Sequence, residues 1–281
     1  MARGADDRDL ARRRRNFEVE RELADRLRKA PPERRQSLYP EIYEELFRRV
    51  EIPGYDQAQR AQVGLLLRLL DPFLGSGTRF LEIGAGSCDL SLALAERLPR
   101  VWAVDAVPPL QPDGEPPEAF TFVRAERVRD EVPEAGIDLA LSCHFVEHLH
   151  PDDLRGHLAD VLALLAPGGR YVIVTPNRIY GPHDASRGFS ERASGLPLRE
   201  WRHGDLAREL RRAGFAEVRA VGRIGSAPRR IGLRAIAAVE AVVDALPGSW
   251  RRAVLARAPR RAPFRPLEQV KLVAVKAGSG G

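Results

Sequence analysis

An α/β architecture, a mostly parallel sheet with helices on both faces, is the fold class this sequence predicts, and three observations predict it. Short apolar runs recur at Arg79–Ile83, Val101–Asp105, Phe120–Val123, Ile137–Ser142 and Arg170–Thr175. Segments of helical character separate most of them, and runs that are apolar throughout suit parallel strands buried on both faces. The first run breaks into Gly84-Ala85-Gly86, where a backbone relieved of Cβ atoms can turn sharply and approach a ligand closely.

In order, the chain opens with charged, helix-prone residues from about Asp6 to Arg49. Phe17, Val19, Leu23 and Leu27, then Leu38, Tyr39, Ile42, Tyr43, Leu46 and Phe47, fall near helical spacing. Pro31-Pro32 separates two helices and Ile52-Pro53-Gly54 closes the second. So few apolar residues do not make a core, so residues 1–55 are expected to form a helical arm or lid across a main domain of 56–281. Gln57–Leu70 forms a helix stopped by Asp71-Pro72, and Ser87–Leu98 a second after the glycine bend. The proline-rich stretch Pro108–Pro117 cannot be helical, so that crossover is a loop. A helix is expected from Pro151, suited to a first helical position, to Leu165. Ala166-Pro167-Gly168-Gly169 then reads as a turn. The irregular stretch from Thr175 to Leu198 is long for a compact domain, which signals a functional loop. Beyond it come a helix over Arg199–Ala213 capped by Gly214, a strand over Phe215–Val221, a helical insertion at 226–265 and a last strand over Gln269–Val275. The insertion reads as helices over Ile231–Leu246 and around Trp250–Ala258.

With 281 residues and 44% hydrophobic content the chain can bury a full core. No apolar run approaches a membrane helix in length, and the N-terminus has no apolar signal-peptide core. Cys88 and Cys143 make neither a disulfide framework nor a metal cluster and suit a reducing compartment, so the expected location is cytoplasmic. The net charge of +6 is unevenly spread: Gly195–Pro266 holds 16 arginines against 6 acids. Solvated helix faces account for such a stretch, and so would attraction of an anionic small molecule, nucleic acid or a membrane surface, the last through 231–261.

The glycine bend narrows the chemistry. A dinucleotide fingerprint places a third glycine where this chain has Asp89, which disfavours nicotinamide and flavin sites. What remains is Glu82 before the bend, Gly84 and Gly86 within it, and Asp105 ending the second strand, about 20 residues on and placed to bond a ribose diol.

Several motifs in one order complete the pattern: Leu81-Glu82-Ile83-Gly84-Ala85-Gly86, Val104-Asp105, Ile137–Ser142, Phe145-Val146-Glu147-His148-Leu149, Leu165-Ala166-Pro167-Gly168-Gly169 and Thr175-Pro176-Asn177-Arg178. Together they resemble the class I S-adenosylmethionine-dependent methyltransferases, over roughly residues 60–281. The resemblance implies a Rossmann-like seven-stranded sheet, mostly parallel, with one antiparallel strand near the C-terminus. It implies S-adenosylmethionine as cofactor, with the backbone of Gly84, Ala85 and Gly86 facing its methionine part beside Glu82. Asp105, followed by Ala106, would take the ribose, Glu126 the adenine amine, and His144 and Phe145 would border cofactor and substrate.

The implied reaction is transfer of the cofactor's methyl group to a small-molecule acceptor, with a hydroxyl favoured. The basic C-terminal third suits an anionic acceptor. A hydroxyl benefits from a general base, and His144, His148 and His183 are the candidates. Each has a plainer reading, His148 as a backbone tie and His183 beside Asp184 as a loop staple. Ubiquinone-pathway methyltransferases are similar here but carry Glu where this chain has His144, which weakens any magnesium site, and no metal is expected. The alternatives are a protein or RNA methyltransferase and a non-enzymatic binding protein on the same fold. Thr175-Pro176-Asn177-Arg178 lacks the Asn/Asp-Pro-Pro-aromatic signature of enzymes that hold a nucleic-acid base, so no specific nucleic acid is expected.

Overall fold

The computed structural model describes residues 2–50, 55–107, 115–125, 127–129, 132–224, 227–257 and 267–278. The central strands are β1 (Arg79–Ile83), β2 (Arg100–Asp105), β3 (Phe120–Arg124), β4 (Ile137–Cys143) and β5 (Leu165–Pro176). They pair in parallel. The C-terminal part adds β6 (Glu217–Ile224), β7 (Ala227–Ile231) and β8 (Gln269–Val275), and the sheet order is β3-β2-β1-β4-β5-β8-β6-β7. β8 is antiparallel to both of its neighbours.

Side-chain alternation decides which helices cover which face. Phe80, Leu139, Leu141, Val172 and Val174 point into a core shared with α3 (Tyr55–Leu70) and α4 (Asp89–Ala95). Leu81, Ile83, Ala140, Tyr171 and Ile173 point the other way, onto α5 (Leu154–Leu164) and α6 (His203–Arg212). Helices α7 (Leu233–Asp244) and α8 (Gly248–Arg257) lie between β7 and β8 in the chain and add Ile236, Val243 and Leu255 to that second core.

The expected mostly parallel seven-stranded frame is present, with four local differences. The sheet has an eighth strand, because the 226–265 insertion opens with β7, which forms an antiparallel hairpin with β6. Pro228 and two arginines read against a strand, but at an open edge the missing proline N–H does no harm. The Ala166–Gly169 turn is absorbed into β5 as an irregularity in its pairing with β4. Gly169 is required there: a Cβ would lie 2.7 Å from the Ala166 carbonyl oxygen and 2.9 Å from that of Ile137. The helix expected from Ser87 is shorter, since Cys88 at φ 60° holds a left-handed conformation and α4 begins only at Asp89. The next helix begins at Leu154, not Pro151, and the Asp153 carboxylate before it is turned to another use.

That use is docking the N-terminal helices α1 (Ala2–Lys29) and α2 (Pro32–Arg49). The Arg35 guanidinium, buried, donates a two-pronged bond to Asp153 at 2.7 and 2.9 Å. Tyr39 Oη donates to the same carboxylate at 3.2 Å and accepts from His150 N–H at 2.7 Å. Val19, Leu23, Leu27, Ile42 and Leu46 bury a small core together with Leu196 of the long loop, and Phe17 stacks on Phe189. Too few apolar residues for a free-standing unit therefore find their burial against the long loop. No helix of the described residues is long and apolar enough to cross a membrane.

Candidate active site

β1 ends in a bend whose backbone is fixed from β2: Gly84 N–H and Ala85 N–H both donate to the Val104 carbonyl, at 2.8 and 3.2 Å. Gly84 has φ +72°, and a Cβ there would meet the Phe145 ring at 2.6 Å, so glycine is needed twice over. Gly86 N–H donates to Asp105 Oδ2 at 2.9 Å and Val107 N–H to Oδ1 at 3.0 Å. Asp105 thus faces the bend from the end of β2, half-buried, and with the Ala106 amide as a third donor it keeps one lone pair unspent. Burial raises its pKa and the amide bonds from Val107, Gly86 and Ala106 restrain the rise. Ala106 is half-buried beside it, and its carbonyl accepts from Arg124 Nε at 3.2 Å. Glu126, assigned to an adenine, lies outside the described residues.

Glu82 sits beneath the bend. It is buried and accepts from Ser91 Oγ of α4 at 2.5 Å. Burial pushes its carboxyl up to about 7, with Asp105 and Asp89 adding to the rise and Ser91 opposing it. The Phe145 ring packs directly over Gly84.

The three candidate histidines have three different surroundings. His144, at φ 54°, has both ring nitrogens engaged: Nδ1 with Glu147 Oε1 at 3.2 Å and Nε2 with Gln269 Nε2 at 3.3 Å. Glu147 is buried and its other oxygen accepts from Thr175 Oγ1 at 2.8 Å. Burial alone would raise the Glu147 pKa, but the His144 bond and nearby His148 outweigh it and hold the group below the ordinary carboxylate value. His148 Nδ1 lies 3.3 Å from the Leu196 carbonyl, a partner that requires N–H on Nδ1 and leaves the lone pair on Nε2. Burial, the largest effect, pushes its pKa below the ordinary value although Glu147 pulls the other way, so the ring is neutral near pH 7. His183 is a loop staple: its ring Nδ1 and its backbone N–H both meet Glu200 Oε1, at 2.9 and 2.8 Å. Asp184 beside it accepts from Ser186, Ser194 and Gly195 N–H groups, fixing the same loop. Among the described residues no three His, Cys, Asp or Glu side chains gather as metal ligands.

The profile of a family described as a methyltransferase domain matches residues 54–220. The chain belongs to this methyltransferase family. An uncharacterized methyltransferase of Mycobacterium tuberculosis is 33% identical over 111 residues, 38% of this chain and 55% of that protein, so the chain spans about half the length of the curated relatives it matches. Among solved structures, the 1,6-didemethyltoxoflavin-N1-methyltransferase of Burkholderia thailandensis, with bound 1,6-didemethyltoxoflavin and S-adenosylhomocysteine, aligns with 88% of this chain and 91% of its own at TM-score 0.53 and 22% identity. A complex of the Haloferax volcanii Trm112 methyltransferase activator with a methyltransferase aligns over 81% and 95% at TM-score 0.52 and 16% identity. At these identities the likeness is one of fold.

Two features of the described structure carry no sequence signal. Tyr43 of α2 lies edge-on to His148, ring centroids 5.8 Å apart, with its buried hydroxyl unpartnered among the described residues. Burial lifts its pKa well above the ordinary value, and Tyr39, Glu147, Asp105 and Glu20 all add to the rise. In the sequence it is one more aromatic at helical spacing. His203 and Glu240 form a buried pair at 2.7 Å that also holds the Asn177 side-chain amide at 2.6 Å. They tie α6, α7 and the end of β5 together and stand as framework.

Proposed function

We propose that this chain methylates a small-molecule acceptor, at a hydroxyl group, using S-adenosylmethionine. The observation that carries the reading is the Asp105 carboxylate turned onto Gly86 N–H at the end of β2. The residues fit the cofactor. Asp105 keeps lone-pair capacity for a ribose hydroxyl, and the amides of the bend lie beside it, with the Phe145 ring packed on Gly84 as a wall. When bound, the cofactor supplies an activated methyl group with a neutral leaving group.

The chain's own part is placement and proton handling. His148, neutral and with Nδ1–H fixed by Leu196, holds a lone pair on Nε2 that can take the acceptor's proton. Tyr43 of α2 packs edge-on against His148, which supports a reading of residues 1–55 as a lid. Positioning of this kind contributes about 7–11 kcal/mol in well-oriented systems. The favoured acceptor is anionic, given the arginine surplus of the C-terminal third.

Calorimetry with S-adenosylhomocysteine on wild type and Asp105→Ala tests this. The variant should lose about tenfold or more in affinity, the worth of a charge-assisted hydrogen bond. Equal affinity in both proteins would sink the assignment. Labelled methyl transfer to hydroxyl and amine acceptors then separates O- from N-methylation.

A further inference from the structure

A cleft of about 370 Å³ opens beside the long loop, between Arg178 after β5, residues 191–200 and the α7–α8 insertion. Four arginines line it, Arg178, Arg192, Arg199 and Arg251, against three carboxylates, Glu191, Glu200 and Asp244. Each of those carboxylates is already engaged. Glu200 accepts from the ring and backbone of His183. Asp244 gathers three guanidiniums, those of Arg202 at 3.1 Å, Arg178 at 3.5 Å and Arg251 at 3.7 Å.

The guanidiniums are far less committed. Among the described residues, the side chains of Arg178 and Arg251 have only those long contacts with Asp244, which keep most of their N–H donors unspent. Arg199 lies over the Trp201 ring at 4.0 Å, and neither it nor Arg192 has a carboxylate partner among the described residues. Donors from three separate segments converge on one concave space, and their positions are set in advance by Asp244 and Trp201. Guanidinium forks match the spacing of oxyanion oxygens, and several converging from different directions suit a phosphate better than a flat carboxylate.

We propose that this cleft binds a phosphate group of the acceptor, free or esterified. The inference rests on the methyltransferase reading and gives its acceptor a chemical class. The geometry joins the two places. Leu196 holds His148 and Arg199 N–H donates to the Glu147 carbonyl at 3.1 Å, while Pro197, Leu198, Arg199 and Glu200 line the cleft. One loop segment is therefore the wall between the proposed base and the phosphate site, and an acceptor anchored in the cleft reaches toward His148 past that wall. The neighbouring insertion exposes Val242 and Trp250, so the phosphate could belong to a lipid headgroup or to a soluble metabolite.

The test is titration calorimetry of the full chain with pyrophosphate, and separately with S-adenosylhomocysteine, on wild type, Arg178→Gln and Arg192→Gln. Arg192 is exposed and makes no side-chain bond among the described residues, so its replacement leaves the fold intact. Wild type should bind pyrophosphate, each variant should bind it about tenfold more weakly, and all three should bind the nucleoside alike. No pyrophosphate binding to wild type, or equal binding by the variants, would overturn the cleft assignment while leaving the methyltransferase reading in place. Pyrophosphate binding that the variants weaken, in a protein with no affinity for S-adenosylhomocysteine, would uphold the cleft and remove the methyltransferase reading. Sedimentation with phosphatidic-acid vesicles assigns the source: co-sedimentation reversed by pyrophosphate marks a lipid headgroup, and protein left in the supernatant marks a soluble phosphate.

Discussion

Replacing Glu82 by Gln should make the folded protein more stable at neutral and alkaline pH and change its pH dependence in a defined window. Glu82 is 6% exposed, and its carboxyl is pushed from an ordinary 4.5 to about 7. A folded-state pKa raised in this way means that the fold favours the protonated form. The contribution is fully present below pH 4.5 and is lost as pH rises through 7. At ~1.36 kcal/mol per pKa unit, ionising this group in place costs about 3 kcal/mol. Gln keeps an acceptor for Ser91 and cannot ionise. Any penalty from its extra N–H groups is the same at every pH, so the slope of the difference matters and its offset does not. Urea unfolding of both proteins at a series of pH values should give a stability difference that grows by about 3 kcal/mol in favour of Gln from pH 4.5 to pH 8. A difference that stays flat across that range would show Glu82 titrating at its ordinary value. The account of a strained, buried carboxylate beneath the bend would then fail.

Two further substitutions probe the same region. Gly84→Ala forces a Cβ to within 2.6 Å of Phe145 at φ +72°; it should destabilise by at least about 1–2 kcal/mol from the left-handed backbone alone and abolish S-adenosylhomocysteine binding, with the combined Phe145→Ala variant recovering only the steric part, as thermal unfolding would record. Tyr43→Phe removes a buried hydroxyl that has no partner among the described residues, so its melting temperature should be unchanged or higher, and a clear drop would mean that the hydroxyl holds some part of the fold.

The strands and the glycine bend were legible because their signals are local. An apolar run such as Ile137–Ser142 is a strand wherever it lies in a sheet, and Gly84 and Gly86 declare a turn by lacking a Cβ. The edge strand β7 was not legible, since Pro228-Arg229-Arg230 reads as a strand only once its position at an open edge is known. Among the histidines, the sequence offered three equivalent candidates. His183 became a staple because Glu200 lies opposite it, and His144 was engaged by Glu147 and Gln269. His148 and His183 each keep Nε2 free of any partner among the described residues, and of the two only His148 lies against the arm, through Tyr43.

By itself, the order of residues determined the kind and succession of the central elements and the place of the glycine bend, since periodicity and Gly or Pro punctuation act between near neighbours. Tertiary structure alone decided which ionisable groups are neutralised and which are left with donors to spare. Arg35 finds Asp153, His203 finds Glu240, and the cleft draws its arginines from a post-strand turn, a loop and a helix. A side chain's chemistry depends on its burial and on what its polar atoms meet, and those partners are brought together only when distant stretches of chain pack.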